Sequence, residues 1–191
     1  MKPQPSKVKV KKEKKKKDLI EFKWVGTITI LAFIISIIFS AIAQSIIPNT
    51  NVIISTFLVL AVILIGIIFD MIGMAVTVAD TKVFHAMSAK KVKGAKTAIK
   101  LIKNAPKVSS ICNDVIGDIC GIISGSGGAA ISTLIAIELD INVLIPSLII
   151  TALIASMTIG GKALGKGVAV AKANFIIDKF SKLLSIFSKW I

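Results

Sequence analysis

The sequence predicts an all-α membrane protein with four transmembrane helices and two amphipathic helices at the membrane surface. Of its 191 residues, 54% are hydrophobic and 18% are charged, whereas a soluble domain averages about 45–50% apolar and about 25% charged residues. All 24 basic residues are lysine, and they occur in blocks separated by long apolar runs. Several of these runs reach the roughly 20 apolar residues that a helix needs to cross a bilayer. This composition excludes a soluble enzyme and a disordered chain.

The first lysine block, residues 1–23, holds ten lysines against three acidic residues. Such a segment has too little apolar surface to form a core, so we expect a disordered tail. A tail beside a membrane span is expected to anchor on anionic lipid headgroups, with about 1 kcal/mol from each lysine near the surface. Lysine-rich tails also bind nucleic acids, but the span that follows directly favours the lipid anchor, and no nucleic-acid partner is expected. Residues 24–47 carry no charge, begin with Trp24 and form the first predicted span.

The other three spans are predicted at about 52–79, 108–137 and 143–161, where the apolar runs continue. The loops after the first and third spans are short and carry no lysine, whereas the segments after the second and fourth are lysine-rich. Because cytoplasmic loops of membrane proteins carry an excess of lysine and arginine, both termini are predicted in the cytoplasm of a cell-membrane protein. The two short loops are then predicted outside.

The two interior basic segments, at about 81–105 and 167–191, have apolar residues at helical spacing with lysines between them. Phe84, Met87 and Ile99 illustrate the pattern in the first segment, and Phe180 and Leu184 in the second. A helix with one apolar and one lysine-rich face lies in the plane of the membrane interface. Both segments are therefore predicted to be interfacial helices.

Four ionisable residues fall inside the apolar spans: Asp70, Asp114, Asp118 and Lys162. A charged side chain in hydrocarbon costs about 2.5–3.5 kcal/mol even on the mildest scale, so each is a candidate for a functional role. On the predicted topology all four lie in the cytoplasmic half of their spans. They are therefore expected at similar depth.

Small and polar residues recur every three or four positions around these charges, which places them on single helix faces. These are Gly66, Asp70 and Gly73 on the second span; Ser110, Asp114, Gly117, Asp118, Gly121 and Gly125 on the third, with Asn113 beside them; and Thr151, Ala155, Thr158 and Lys162 on the fourth. Small residues allow helices to approach closely, and polar groups avoid lipid. We expect the three faces to meet.

Two interpretations of this cluster remain open. In the first, the polar groups only satisfy one another, with Lys162 paired to an aspartate and the glycines allowing close packing. In the second, three carboxylates outnumber one lysine, and the negative charge left over suits a hard cation such as Mg²⁺ or protons held at raised pKa. The candidate ligands are then Asp70, Asp114 and Asp118, assisted by Asn113. The glycines Gly66, Gly73, Gly117 and Gly121 provide packing or backbone ligands.

Several stretches also resemble a known family. They are FDMIGMAVTVAD at 69–80, KGAKTAIKLIKNAPK at 93–107, Ile116-Gly117-Asp118, and GKALGKGVAVAKAN at 161–174. Their order is similar to that of the membrane domain of the CorB/CorC–cyclin M family of magnesium transporters. The resemblance covers about 120 residues and implies a CorB-like domain over 52–191, without the cytosolic regulatory domains of the family. The first span lies outside it.

The resemblance implies a magnesium site built from side-chain oxygens and backbone carbonyls. By position, the serine ligand of the family falls on Asp70, the ligands of the next helix on Gly117 and Asp118, and the last acidic ligand on Lys162. The chain departs from the family at Gly73, where a glutamate is usual, and at Lys162, whose charge would modulate the site. Family members also imply a homodimer.

We therefore expect transport or binding of a divalent cation, with Mg²⁺ as the leading candidate, and no cofactor other than this ion. The alternative is a non-transporting scaffold that recruits anionic lipid or a protein partner through its basic cytoplasmic helices. A pore-forming protein is a third reading, and it would tolerate loss of Asp70 and Asp118. Because the chain has one histidine and no paired nucleophile and base, we do not expect an enzyme.

Overall fold

The computed structural model describes residues 22–46 and 50–187, and all regular structure in these residues is helical. Four stretches are long and apolar enough to cross a membrane: Trp24–Ile42, Val52–Val78, Ala105–Leu139 and Leu144–Ala171. This confirms the all-α class and is what a multi-pass membrane protein requires. The predicted disordered tail up to residue 21 lies outside the described residues, as do residues 188–191 of the second predicted interfacial helix.

The helices follow one another with short connections. They are α1 (Phe22–Ile46), α2 (Val52–Val78), α3 (Thr81–Ala89), α4 (Ala95–Lys103), α5 (Ala105–Ser110), a π-helical turn (Ile111–Ile116), α6 (Gly117–Leu139), α7 (Leu144–Ala171) and α8 (Ala173–Phe187). Helix α2 begins at an N-cap, because the Asn51 side-chain oxygen accepts a hydrogen bond from the Ile54 N–H at 2.9 Å. Such a cap satisfies one of the free N–H groups of the first turn.

The segment predicted as one helix over 81–105 is two helices, α3 and α4. Between them, Lys91 (φ 56°), which follows the C-cap of α3, and Gly94 (φ 86°), the N-cap of α4, adopt left-handed backbone conformations. Glycine takes this conformation without steric cost, and at Gly94 a side chain would also meet the backbone N of Lys182 in α8 at 3.0 Å. The turn therefore packs directly on α8, which helical spacing alone does not reveal.

The last two helices also differ from their predicted bounds. Helix α7 continues to Ala171, ten residues beyond the predicted end of the fourth span, and α8 begins at Ala173 rather than near 167. The Asn174 side chain accepts a hydrogen bond from the Asp80 N–H at 2.9 Å. This bond ties the start of α8 to the start of α3.

Helix α2 lies at the centre of the bundle and packs against α6 and α7. Helix α7 approaches it closely, because Gly161 lies against Ile67 and Gly165 against Met71. A second buried cluster forms where α2 ends, with Phe84 of α3, Ala98 of α4, and Ala169 and Ile177 of the two last helices around Ala75 and Val76. Helix α1 packs mainly on α6, through Ile28, Ala32 and Ile35.

Candidate functional site

One face of α2 carries a buried carboxylate between two glycines. The side chain of Asp70 is 4% exposed, and Gly66 and Gly73 lie one turn before and after it, both buried. At Gly66 a Cβ would sit 3.0 Å from the Cβ of Cys120. The glycines therefore let the third span, which consists of α5, the π-helical turn and α6, approach α2 on the face that bears Asp70.

Opposite this face, the third span contains the π-helical turn at Ile111–Ile116. The Gly117 N–H donates to the Cys112 carbonyl, five residues back, which is the wide hydrogen-bond pattern of a π turn. Such turns interrupt α-helices and are frequent at functional sites. Here the turn holds Asn113 against α2, and a Cβ on Gly73 would overlap the side-chain oxygen of Asn113.

Two buried oxygens at this contact have no hydrogen-bond donor among the described residues: Asp70 Oδ2 and Asn113 Oδ1. The amide nitrogen of Asn113 is occupied, since it donates to Ser109 Oγ at 3.3 Å. Leaving a buried acceptor unpaired costs about 1–3 kcal/mol, and more for a charged group. Two unpaired acceptors on packed helices, one on α2 and one on the π-helical turn, are therefore candidates for binding a cation or a proton.

The other two aspartates are placed differently. Asp114 and Asp118 are exposed, and Asp114 Oδ2 accepts a hydrogen bond from Ser110 Oγ at 2.7 Å. Within residues 22–46 and 50–187, no group of three histidine, cysteine, aspartate or glutamate side chains is close enough to hold a metal ion. The expected cluster of three carboxylates is not formed in this part of the chain. Asp70 and Asn113 lie at the helix contact, while Asp114 and Asp118 line an outer face of the same span.

Lys162 of α7 is half-buried and lies beside α6, with its Nζ 3.5 Å from the position that a Cβ of Gly117 would occupy. The expected ion pair with Asp70 or Asp118 is absent: no carboxylate of the described residues lies within 4.0 Å of this ammonium group. Its positive charge therefore stands near the contact without direct neutralisation.

The three charged positions lie at one level in the bundle. At the helical rise of 1.5 Å per residue, Asp70 is about 27 Å from the start of α2, Lys162 about 27 Å from the start of α7, and Asp118 about 32 Å from the end of α6. The hydrocarbon core of a bilayer is about 30 Å thick. In a bilayer whose hydrocarbon began at the starts of α2 and α7, all three would lie near its other boundary, on the side of the bundle where α3, α4 and α8 pack.

Helix α6 meets α2 through residues that helical spacing did not single out. Cys120 is buried and makes the closest contact with Gly66, and Cys112 is buried and lies next to Asn113 against Gly73. By contrast, Gly121 and Gly125 have no atoms near their Cβ positions. The sequence signal that could have identified the packed face is the series Cys120, Ser124, Gly127 and Ile131, which are small or apolar residues at three- and four-residue spacing and are all buried.

The candidate site thus consists of the buried carboxylate of Asp70 on α2 and the amide oxygen of Asn113, which packs against Gly73 one helical turn further along α2. The ammonium of Lys162 lies beside Gly117, the residue that follows the π-helical turn. The atoms of the candidate site that could bind a metal ion are the oxygens of Asp70 and Asn113, and oxygens are the ligands that Mg²⁺ and Ca²⁺ take in proteins. A comparison of the chain with protein-family models, with curated proteins and with solved structures finds no match.

Proposed function

We propose that the chain binds and transports a hard cation, with Mg²⁺ as the leading candidate, in the manner of a CorB-like membrane domain. The observation that carries this proposal is the pair of buried oxygens without donors, Asp70 Oδ2 and Asn113 Oδ1, on facing helices. Mg²⁺ dehydrates reluctantly and is usually held by one or two carboxylates while it keeps several waters. One buried carboxylate with an amide oxygen fits the small number of protein ligands in such sites.

The position of the pair supports the same proposal. Asp118 is exposed at a comparable depth and Asp114 is exposed one turn further toward the lysine-rich end, so their carboxylates raise the local concentration of cations where the bundle meets water. A cation that reached Asp70 would replace the missing hydrogen-bond donors there. A cation would then pass from the acidic surface formed by Asp114 and Asp118 to Asp70 inside the apolar bundle.

The variant Asp70→Asn tests the proposal most directly, because it keeps the shape of the side chain and removes its charge. We expect at least about a tenfold loss of Mg²⁺ flux, since a tenfold change corresponds to only about 1.4 kcal/mol and a buried charged ligand contributes more. The measurement is uptake into proteoliposomes that contain a fluorescent magnesium indicator.

Asp80→Asn is the matched control. Asp80 is exposed and caps α3 by accepting a hydrogen bond from the Lys82 N–H at 2.8 Å; asparagine is an equally good N-cap. Flux should therefore stay at the wild-type level. Wild-type flux in Asp70→Asn would place the site elsewhere, and wild-type flux no greater than in empty liposomes would refute transport.

The alternative function, a scaffold that recruits anionic lipid or a protein partner, rests on the lysines of the segment between the second and third spans. All eight are exposed: Lys82, Lys90, Lys91, Lys93, Lys96, Lys100, Lys103 and Lys107. The opposite faces of α3 and α4 are buried through Phe84, Ala95 and Ala98. A bundle without cation flux that still binds anionic vesicles would favour this function.

We propose further that the protein lies in the cell membrane with both termini in the cytoplasm, because the lysine-rich helices α3 and α4 and the loop at Asp140 lie at opposite ends of the predicted spans. In a background with Cys112 and Cys120 replaced by serine, Asn49→Cys and Asp140→Cys should react with a membrane-impermeant maleimide in intact cells. Lys96→Cys should react only after the cells are opened. Labelling of Asp140→Cys only in opened cells would refute the four-span topology.

A further inference from the structure

A groove of about 300 Å³ runs between the second half of α2 and α8. Ile68 and Ile72 form its α2 wall, and Phe175 and Leu183 contribute to its α8 wall. Its lining is apolar apart from one charged residue, Lys179. Large parts of these apolar side chains are exposed, including 60% of Phe175 and 54% of Leu183.

The groove lies where hydrocarbon would meet the lipid headgroups. Ile68 and Ile72 are about 24 and 30 Å from the start of α2 at the helical rise, close to the thickness of a hydrocarbon core. Apolar surface of this kind is unfavourable in water, but it needs no protein partner when it is in contact with acyl chains. The depth therefore indicates lipid, rather than water or a soluble partner, as the occupant.

The charge at the groove indicates which lipid. The Nζ of Lys179 lies 5.6 Å from the centroid of the Phe175 ring, a cation–π contact that holds the ammonium beside the groove wall. The neighbouring Lys182 is already engaged, since its Nζ lies 2.7 Å from Asp178 Oδ2. No carboxylate of the described residues lies within 4.0 Å of Lys179, so its charge is available to a ligand.

We propose that this groove is a binding site for one anionic phospholipid, with an acyl chain between α2 and α8 and the headgroup phosphate on Lys179. The site is independent of the cation site at Asp70. It also differs from the general attraction of a lysine-rich surface to anionic lipid, because it assigns selectivity to one lysine and chain binding to one groove.

The test is native mass spectrometry of the full chain after equilibration with phosphatidylglycerol and phosphatidylcholine in equal amounts. Wild-type protein should retain phosphatidylglycerol with about a fivefold preference, the factor that corresponds to one lysine near an anionic surface. Lys179→Gln should abolish the preference and still retain lipid. Leu183→Trp, a substitution at an exposed position, should fill the groove and reduce retention of both lipids.

Lys96→Gln is the control for net charge, because it removes the same charge from an exposed position on α4 that does not line the groove. It should keep the wild-type preference. An equal loss of preference in Lys96→Gln and Lys179→Gln would show diffuse attraction and overturn the proposal. Retention in Leu183→Trp equal to that of the wild type would overturn it as well.

Discussion

Replacing Gly73 with alanine is expected to destabilise the protein by about 1–3 kcal/mol, the usual effect of inserting a methyl group into a packed interior. The new Cβ would overlap Asn113 Oδ1 and would lie 3.1 Å from the Cβ of Cys112. Both neighbours belong to the π-helical turn, so the Asn113 side chain must turn aside and Cys112 must shift by a few tenths of an ångström. Asn113 Oδ1 then leaves the proposed cation site, and the stabilisation by Mg²⁺ should be lost as well. The measurement is the midpoint of thermal unfolding in detergent, with and without Mg²⁺.

Gly160→Ala on α7 is the control for this substitution. A Cβ at Gly160 has no atom within 4 Å, and alanine favours a helix over glycine by about 1 kcal/mol. Its unfolding midpoint should be unchanged or higher, and its response to Mg²⁺ should equal that of the wild type. If Gly73→Ala behaved like Gly160→Ala, the close contact between α2 and the π-helical turn would be refuted.

Replacing Lys162 with glutamate is expected to tighten Mg²⁺ binding at least about tenfold. The substitution removes a positive charge that no nearby carboxylate neutralises and introduces a carboxylate beside Gly117, a change of two charge units. Near a protein surface, two unit charges 4 Å apart interact by about 4 kcal/mol, so even a contact several times longer changes affinity by about tenfold. Because a ligand that binds only the folded state stabilises it in proportion to RT ln(1 + [L]/Kd), the variant should be stabilised at lower Mg²⁺ concentrations.

Lys166→Glu makes the same change of charge one turn further along α7, at an exposed side chain. Solvent screens charges there, so its Mg²⁺ response should stay close to that of the wild type. Equal gains in both variants would indicate a general effect of net charge. If neither the wild type nor Lys162→Glu responded to millimolar Mg²⁺, the scaffold would replace transport as the proposed function.

The spans could be predicted from the sequence because the length of an apolar run is a local property that fixes whether a helix can cross a bilayer. The ends of the helices were harder to predict from the sequence. The break between α3 and α4 depends on the left-handed backbone at Lys91 and on the contact of Gly94 with α8. Nothing in the apolar periodicity of this segment reports a contact with a helix about 90 residues later in the chain.

The candidate site could be predicted from the sequence only in part, for a related reason. Spacing identifies residues that share a helix face, and Gly66, Asp70 and Gly73 do lie together at the packed face of α2. Spacing does not say which of two small-residue faces meets the neighbour. On the third span the face with Asp118 stays exposed, whereas the face with Cys120 packs on α2.

The π-helical turn also changes how this chain must be aligned with any other. A π turn holds one residue more than an α turn, so the residues of α5 are rotated by about 100° from where an uninterrupted α-helix would place them relative to α6. An alignment by helix face that passes through Ile111–Ile116 must therefore open a one-residue gap against an ordinary α-helical span. Without the gap, Asn113 would be matched to a position on the wrong side of the helix.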